Sequence, residues 1–146
     1  MENYLIRRAP ELFKVDGIDL PSLLHIDYNR WTIIDQKATL RAGDYYLIHG
    51  HETTMKSGGV APAKRLYDQT GVQAIAGHFH RSSSYRFKRI NGDIVKAYTV
   101  GCLCQLDPNY AVFNNWNHGF LYMEKRSDQW RIENYIIDNT DIFLSQ

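Results

Sequence analysis

Features that mark specialised classes of protein are scarce in these 146 residues. Cysteine occurs twice and proline four times, which excludes a disulfide-rich or proline-rich chain. No apolar run approaches the roughly 18 residues that span a membrane, and no secretory signal pattern is found at the start. Long disorder is also excluded, because 44% of the residues are hydrophobic and the net charge is only +1. We therefore expect a cytoplasmic globular chain forming one domain over 1–146.

Positive charge is concentrated in the middle of the chain. Residues 51–100 carry eight basic and three acidic side chains, a net charge of +5, whereas 1–50 carry −1 and 101–146 carry −3. A basic surface favours an anionic ligand such as phosphate or nucleic acid, although a solvated face balanced by the acidic thirds is the alternative. The basic residues of a nucleic-acid interface would be Arg81, Arg86, Lys88, Arg89 and Lys96.

Short elements alternate in the first half of the chain. They are predicted as a helix over 10–15, a helical stretch capped by Ser22, and strands over 31–34 and 45–48. Pro62 and Gly71 suit the two ends of a helix over 61–70, and an apolar strand over 72–76 follows. The order strand, helix, strand indicates a parallel pair of strands joined by a crossover helix.

Antiparallel hairpins are predicted in the second half. Asn91-Gly92 lies between alternating runs at 85–88 and 94–100, which is a strong hairpin signal. A second hairpin is predicted from the strands over 119–124 and 130–137, with its turn near Ser127-Asp128. The fold class is therefore mixed α/β, with a mixed sheet and antiparallel hairpins after residue 84.

Histidine is the unusual residue, with six in the chain and four of them in two His-x-His pairs. The pairs are His49 with His51 and His78 with His80, and each follows a predicted strand. Open α/β sheets bind ligands at the carboxyl ends of their strands, and an extended His-x-His directs both rings to one side. Imidazole suits Zn, Mn, Fe, Ni or Cu, so the two pairs predict a site for a divalent metal.

The two cysteines, Cys102 and Cys104, are separated by one residue, which is too few for the C-x-x-C redox motif. On a strand they would share a face. We expect two small buried residues in a reducing compartment, with metal ligation as the alternative.

The segment Gly77-His78-Phe79-His80 resembles the G-H-x-H motif of the calcineurin-like metallophosphoesterases. His49-Gly50-His51 resembles the preceding histidine motif of that family. The similarity extends over about residues 4–137 and is to the C-terminal portion of phage and prophage members, where segments like 4–12 and 101–104 also occur. The resemblance implies the C-terminal portion of an α/β/β/α sandwich.

The resemblance also implies that a metal-activated water hydrolyses a phosphodiester or phosphomonoester. Nucleic acid is one candidate source of that ester. A complete site of this kind holds two divalent ions (Mn, Zn, Fe or Ni), which lower the pKa of the water and neutralise the transition state. By this resemblance His49 and His78 bind one metal and His80 binds the other, with His51 close by. Further residues expected to line the site are Lys56, Arg81 and His118.

Other motifs of the family are missing from these residues. No Asp is followed by His two places later, and Leu47 and Lys96 occupy the second Asp position of the two G-D-x-x-D-like segments. G-N-H-E is absent as well, so the general acid and the carboxylate ligands are expected outside this chain. The resemblance therefore indicates the C-terminal half of a phosphoesterase, weak or inactive when isolated. It would require a complementary N-terminal polypeptide or a second copy; the alternative is a non-catalytic remnant that binds a metal or a partner.

Overall fold

The computed structural model describes residues 17, 20–34, 39–53, 60–111, 113–139 and 141–145. The chain divides into two compact units, residues 1–38 and 39–146. The helix predicted over 10–15 and the candidate site residue Lys56 lie outside the described residues. Among those that are described, no helix is long and apolar enough to cross a bilayer.

In the first unit, the helix α1 spans Leu20–Leu23. The expectation that Ser22 caps a helix is wrong, because Ser22 lies inside α1 and its carbonyl oxygen accepts a hydrogen bond from the N–H of His25 at 3.0 Å. The strand predicted over 31–34 is also wrong: these residues are exposed and belong to no strand. Apolar residues alone do not make a strand, since its backbone needs a neighbour to pair with.

The second unit begins with a five-stranded mixed sheet and one helix. Its elements are β1 (Leu40–Ala42), β2 (Tyr45–Ile48), α2 (Pro62–Thr70), β3 (Ala74–Ala76), β4 (Ser83–Lys88) and β5 (Ile94–Thr99). The spatial order is β1-β2-β3-β5-β4. β3 runs parallel to both β2 and β5, whereas β1 and β4 pair antiparallel with their neighbours. The predicted crossover is confirmed, because α2 joins the parallel strands β2 and β3.

The helix α2 covers the buried core of this sheet. Pro62 starts the helix, and Gly71 ends it in the left-handed conformation at φ 66°. Leu66 is fully buried and packs in a cluster that includes Phe79, from the segment after β3. The other buried members of this cluster are Ala74, Ala76 and Ala97. The same core therefore supports both the sheet and the segment that carries the second histidine pair.

A second, antiparallel sheet follows, in the order β6-β7-β8. Its strands are β6 (His118–Arg126), β7 (Gln129–Asp138) and β8 (Asp141–Leu144). The predicted turn is confirmed, and Ser127 adopts a left-handed φ of 51° there. The fold class, mixed α/β with antiparallel hairpins after residue 84, is confirmed. The assignment to the C-terminal portion of a metallophosphoesterase sandwich remains a prediction.

The two sheets are joined through polar contacts. The side chain of Asn134 on β7 is buried, and its Nδ2 donates to the carbonyl oxygens of Thr99 at 2.9 Å and of Ser83 at 3.3 Å. The Ser82 hydroxyl donates to the Tyr135 carbonyl oxygen at 3.5 Å. These bonds position the start of β6 beside the segment that follows β3, which is where the candidate site lies.

Candidate metal centre

Two predicted ligands, His49 and His78, lie side by side at the ends of adjacent strands. Ile48 at the end of β2 is the register partner of Ala76 at the end of β3, and the strands are parallel. The polypeptide therefore leaves both strands at the same edge, and the ring centroids of His49 and His78 are 4.9 Å apart. Two imidazoles on one tetrahedral ion, with metal–nitrogen bonds of about 2 Å, place their centroids about 5 Å apart. This pair fits a single cation.

Gly50 permits this close approach. Its φ is 117°, and a Cβ placed on it would lie 2.9 Å from the Cβ of His78 and 3.0 Å from the carbonyl oxygen of Gly77. Such separations are shorter than van der Waals contact, so a side chain at this position would push the two histidine segments apart. The glycine between His49 and His51 is therefore a steric requirement of the site.

His51 orients His49 in this structure. The Nδ1 atoms of the two rings are 2.8 Å apart, a hydrogen-bonding distance at which one nitrogen donates and the other accepts. Two nitrogens on one tetrahedral zinc would be about 3.3 Å apart, so this contact is better described as a hydrogen bond. It leaves the Nε2 of His49 available for a metal, an arrangement common around metal-bound histidines.

Glu52 shapes the turn that carries the first pair. Its carboxylate accepts hydrogen bonds from the N–H of His49 at 3.2 Å and of Gly50 at 2.6 Å. Burial raises the pKa of Glu52, but the backbone N–H groups that bond to it outweigh burial and lower the pKa below its usual range. The carboxylate is therefore ionised and occupied by the backbone, and the sequence prediction did not include it.

The second pair does not form the extended segment that was expected. His78 and His80 have φ values of 64° and 52°, and the N–H of Phe79 donates to the carbonyl oxygen of Gly77 at 2.6 Å. The prediction that both rings point to one side of a strand is therefore wrong. The left-handed backbone at both residues directs the two rings to different neighbours. The ring of His78 lies beside His49, and the ring of His80 lies beside Trp116 and Cys104.

One histidine of each pair, His49 in the first and His80 in the second, favours the neutral imidazole. Burial lowers the pKa of His49, and the nearby His78 and His51 lower it further, while Glu52 acts in the opposite direction. Burial also lowers the pKa of His80, with additional contributions from His78 and His49. A neutral ring has the free lone pair that a metal needs, so the donors suit a divalent cation.

Cys102 is buried and Cys104 is exposed, so the expectation of two buried thiols on one strand face is wrong for Cys104. Cys102 forms an isolated bridge with His118, and the chain bends directly afterwards. Burial raises the pKa of the Cys102 thiol. Despite the bend, ligand atoms of His80, Cys102 and Cys104 lie within 4.8 Å of one another.

The predicted lining residues occupy different positions. His118 lies next to the second pair, with its Nε2 2.8 Å from the carbonyl oxygen of Cys104. Arg81 follows His80 directly, and its carbonyl oxygen accepts a hydrogen bond from the Thr99 hydroxyl at 2.9 Å. The predicted ligands His49, His78 and His80 do not form one converging group; the groups among the described residues are His49 with His51 and Glu52, and His80 with both cysteines.

Among solved structures, the chain is similar to a crystal structure of a single mutant of Vps29 from Entamoeba histolytica, with 16% sequence identity and a TM-score of 0.47. The match covers 80% of this chain and 62% of that protein, so the chain spans less than two thirds of its length. No protein-family model and no curated protein matches the chain. The interpretation of the site therefore depends on its own geometry.

Proposed function

We propose that this chain carries the histidine side of a metal-dependent phosphoesterase site, in which His49 and His78 bind one divalent cation and His80 contributes to a second. The observation that carries the proposal is the pairing of His49 with His78 at the ends of parallel strands, with ring centroids 4.9 Å apart. Left-handed backbone at His78 and His80 supports it, because strained backbone of this kind is concentrated at functional sites.

The donors of the site suit the binding step better than the hydrolytic step. Neutral imidazoles hold a cation without cancelling its charge, whereas a dinuclear centre needs carboxylates between and around the two ions. The one carboxylate in the His49 turn, Glu52, is bonded to backbone N–H groups. Carboxylates and a general acid from a second polypeptide would therefore complete the site, and the isolated chain would hydrolyse phosphate esters weakly or not at all.

Calorimetric titration with Mn²⁺ and Zn²⁺ tests the binding step. His49→Ala and His78→Ala are expected to weaken binding at this site by more than about tenfold, because each removes one direct ligand. His25→Ala is the matched control, since it removes an imidazole that belongs to neither His-x-His pair, and it should leave the affinity unchanged. Unaltered binding in both site variants would contradict the proposal.

Hydrolysis of an aryl phosphodiester tests the catalytic step. We expect the pure chain to be inactive with Mn²⁺, and activity to appear on co-expression with an upstream reading frame that encodes D-x-H, G-D-x-x-D and G-N-H-E. That activity should be lost in His78→Ala. Strong Mn²⁺-dependent hydrolysis by the pure monomer would show that no additional carboxylates are needed.

A nucleic-acid-binding function is the second candidate, because like charges face each other in the β4–β5 hairpin. Arg86 is the register partner of Lys96, an arrangement that is unfavourable unless an anion or solvent separates the two. Titration of single-stranded DNA against salt, with and without metal, separates the candidates. A steep salt dependence that is independent of metal would favour the nucleic-acid-binding module.

A further inference from the structure

Three side chains that lie outside the His49–His78 pair converge beside β6. The Nδ1 of His80 is 3.8 Å from the Sγ of Cys104, and the ligand atoms of His80, Cys102 and Cys104 all lie within 4.8 Å of one another. All three residues come from loops: His80 follows β3, and the cysteines follow β5. The tertiary structure therefore assembles two thiols and one imidazole around a common point.

The spacing is close to that of a tetrahedral metal site. Zinc–sulfur bonds of about 2.3 Å and zinc–nitrogen bonds of about 2.0–2.1 Å place sulfur and nitrogen ligands about 3.6 Å apart. The separation between the Cys104 sulfur and the His80 nitrogen, 3.8 Å, differs from this value by only a few tenths of an ångström. A small rotation of the exposed Cys104 side chain would close that difference.

Backbone hydrogen bonds hold the contributing segments in register. The N–H of Cys102 donates to the carbonyl oxygen of Asn117 at 3.0 Å, and the N–H of Gly119 donates to the carbonyl oxygen of Cys102 at 3.1 Å. The N–H of Asn117 donates to the carbonyl oxygen of His80 at 2.9 Å. Gly101 has no room for a side chain, since a Cβ would lie 2.7 Å from the Asn117 oxygen. The site is thus built on a fixed backbone frame.

Side chains around the cluster restrict the half-buried His80 and the exposed Cys104. Trp116 packs edge-to-face on the His80 ring, with 4.2 Å between ring centroids. His118 reaches the carbonyl oxygen of Cys104 through its Nε2 at 2.8 Å. Such contacts resemble the surrounding shell that orients metal ligands in proteins.

We propose that His80, Cys102 and Cys104 bind a thiophilic divalent cation of the zinc type. Two thiolates balance the charge of the ion, which the His49 and His78 imidazoles cannot do. Three protein ligands leave a fourth position for water or an incoming anion on the side of the exposed Cys104. Cys102 and Cys104 have no role in the proposed phosphoesterase site, and His80, which that proposal gives to a second cation, would here bind the thiophilic cation. The two thiolates do not depend on hydrolysis, so this inference stands if the proposed phosphoesterase function fails.

Titration of the full chain with Co²⁺ in the presence of a non-coordinating reductant tests the inference. Thiolate ligation produces a sulfur-to-cobalt charge-transfer absorption, which histidine ligation does not, and added Zn²⁺ should remove it. Cys104→Ser is expected to abolish the absorption and to weaken Zn²⁺ binding more than about 100-fold at this site. Since Cys104 is exposed, this variant should retain its circular dichroism spectrum.

His49→Ala is the matched control, because it removes a ligand of the other site and should leave the charge-transfer absorption intact. His80→Ala should weaken Co²⁺ binding. Because both thiolates remain in this variant, the charge-transfer absorption should persist at a shifted wavelength. Absence of the absorption in the wild-type chain, or its persistence unchanged in a folded Cys104→Ser variant, would overturn the inference. The chain co-expressed with the N-terminal reading frame can also lack Mn²⁺-dependent hydrolysis while it keeps the charge-transfer absorption. That result would count only against the phosphoesterase proposal.

Discussion

Individual residues of the site hold backbone conformations that side chains rarely adopt. His78 and His80 lie in the left-handed region, which costs about 1–2 kcal/mol for a residue with a Cβ. The surrounding contacts offset this cost: Phe79 between them is buried in the main cluster, and the His80 carbonyl oxygen accepts a hydrogen bond from Asn117. The two rings therefore point to separate neighbours because their backbone is turned.

Gly50→Ala is expected to destabilise the protein and to weaken metal binding at His49 and His78. The new Cβ would lie 2.9 Å from that of His78, so one histidine segment must move. Calorimetric titration with Zn²⁺ and urea denaturation measure the two effects. Gly71→Ala is the control, because Gly71 also has a positive φ but has open space around it. That control should lose about 1–2 kcal/mol of stability and keep its metal affinity.

Tyr45 is expected to make folding sensitive to alkaline pH. Burial, together with the nearby Tyr98 and Asp44, raises its pKa to about 12, whereas an unfolded tyrosine ionises near pH 10. The folded state therefore favours the neutral phenol, a contribution fully present below about pH 10 and lost as pH rises through the folded pKa. Tyr45→Phe should lose less stability than wild type above about pH 10 in denaturation series. Equal losses in Tyr45→Phe and wild type would contradict this prediction, and Tyr110→Phe, at an exposed position, is the control.

Among the elements, α2 contributes the largest side chain that is fully buried in the part of the chain the structure describes. Leu66 is fully buried against strands β3 and β5, while Arg65 next to it is exposed. Because this cluster also contains Phe79, the packing of one helix supports the segment between the two site histidines.

Leu66→Ala is expected to lower the free energy of unfolding by about 2–5 kcal/mol, through lost burial and the cavity that remains. Arg65→Ala should change it by no more than about 0.5 kcal/mol, as is usual at exposed positions. Urea denaturation of both variants provides the measurement. A loss below about 1 kcal/mol for Leu66→Ala would mean that the helix is not packed as described.

At the scale of the second unit, a row of apolar side chains on the antiparallel sheet is partly exposed. Phe120 on β6 is the register partner of Tyr135 on β7, which in turn pairs with Leu144 on β8, so the three side chains share one face. Phe120 and Leu144 are 38% and 55% exposed. Exposed apolar rows of this kind favour association.

The purified 17.0 kDa chain is therefore expected to sediment as a larger species at high concentration. Leu144→Lys should shift it toward monomer, because a charge in the row opposes burial. Ile90→Lys is the control, since Ile90 is fully exposed in the β4–β5 turn, which belongs to the other sheet. A stable wild-type monomer across the concentration range would contradict the expectation of a partner.

Local sequence patterns sufficed for the elements with strong signals. Pro62 and Gly71 bounded α2, Asn91-Gly92 placed the β4–β5 turn, and glycine-flanked histidines marked the ends of β2 and β3. These signals are local because a proline, a glycine or an alternating run limits the backbone within a few residues. The strand predicted at 31–34 failed because strand formation depends on a partner that local sequence does not specify.

Only the tertiary structure decided which site residues meet. The distance between His49 and His78 follows from strand register, and the cluster of His80, Cys102 and Cys104 follows from hydrogen bonds between segments up to about 40 residues apart. Residue spacing in the chain carries no information about such contacts, because they depend on how the sheets pair. The sequence alone therefore indicated that the histidines form a site. The fold decided that His49 pairs with His78, whereas His80 joins the two cysteines.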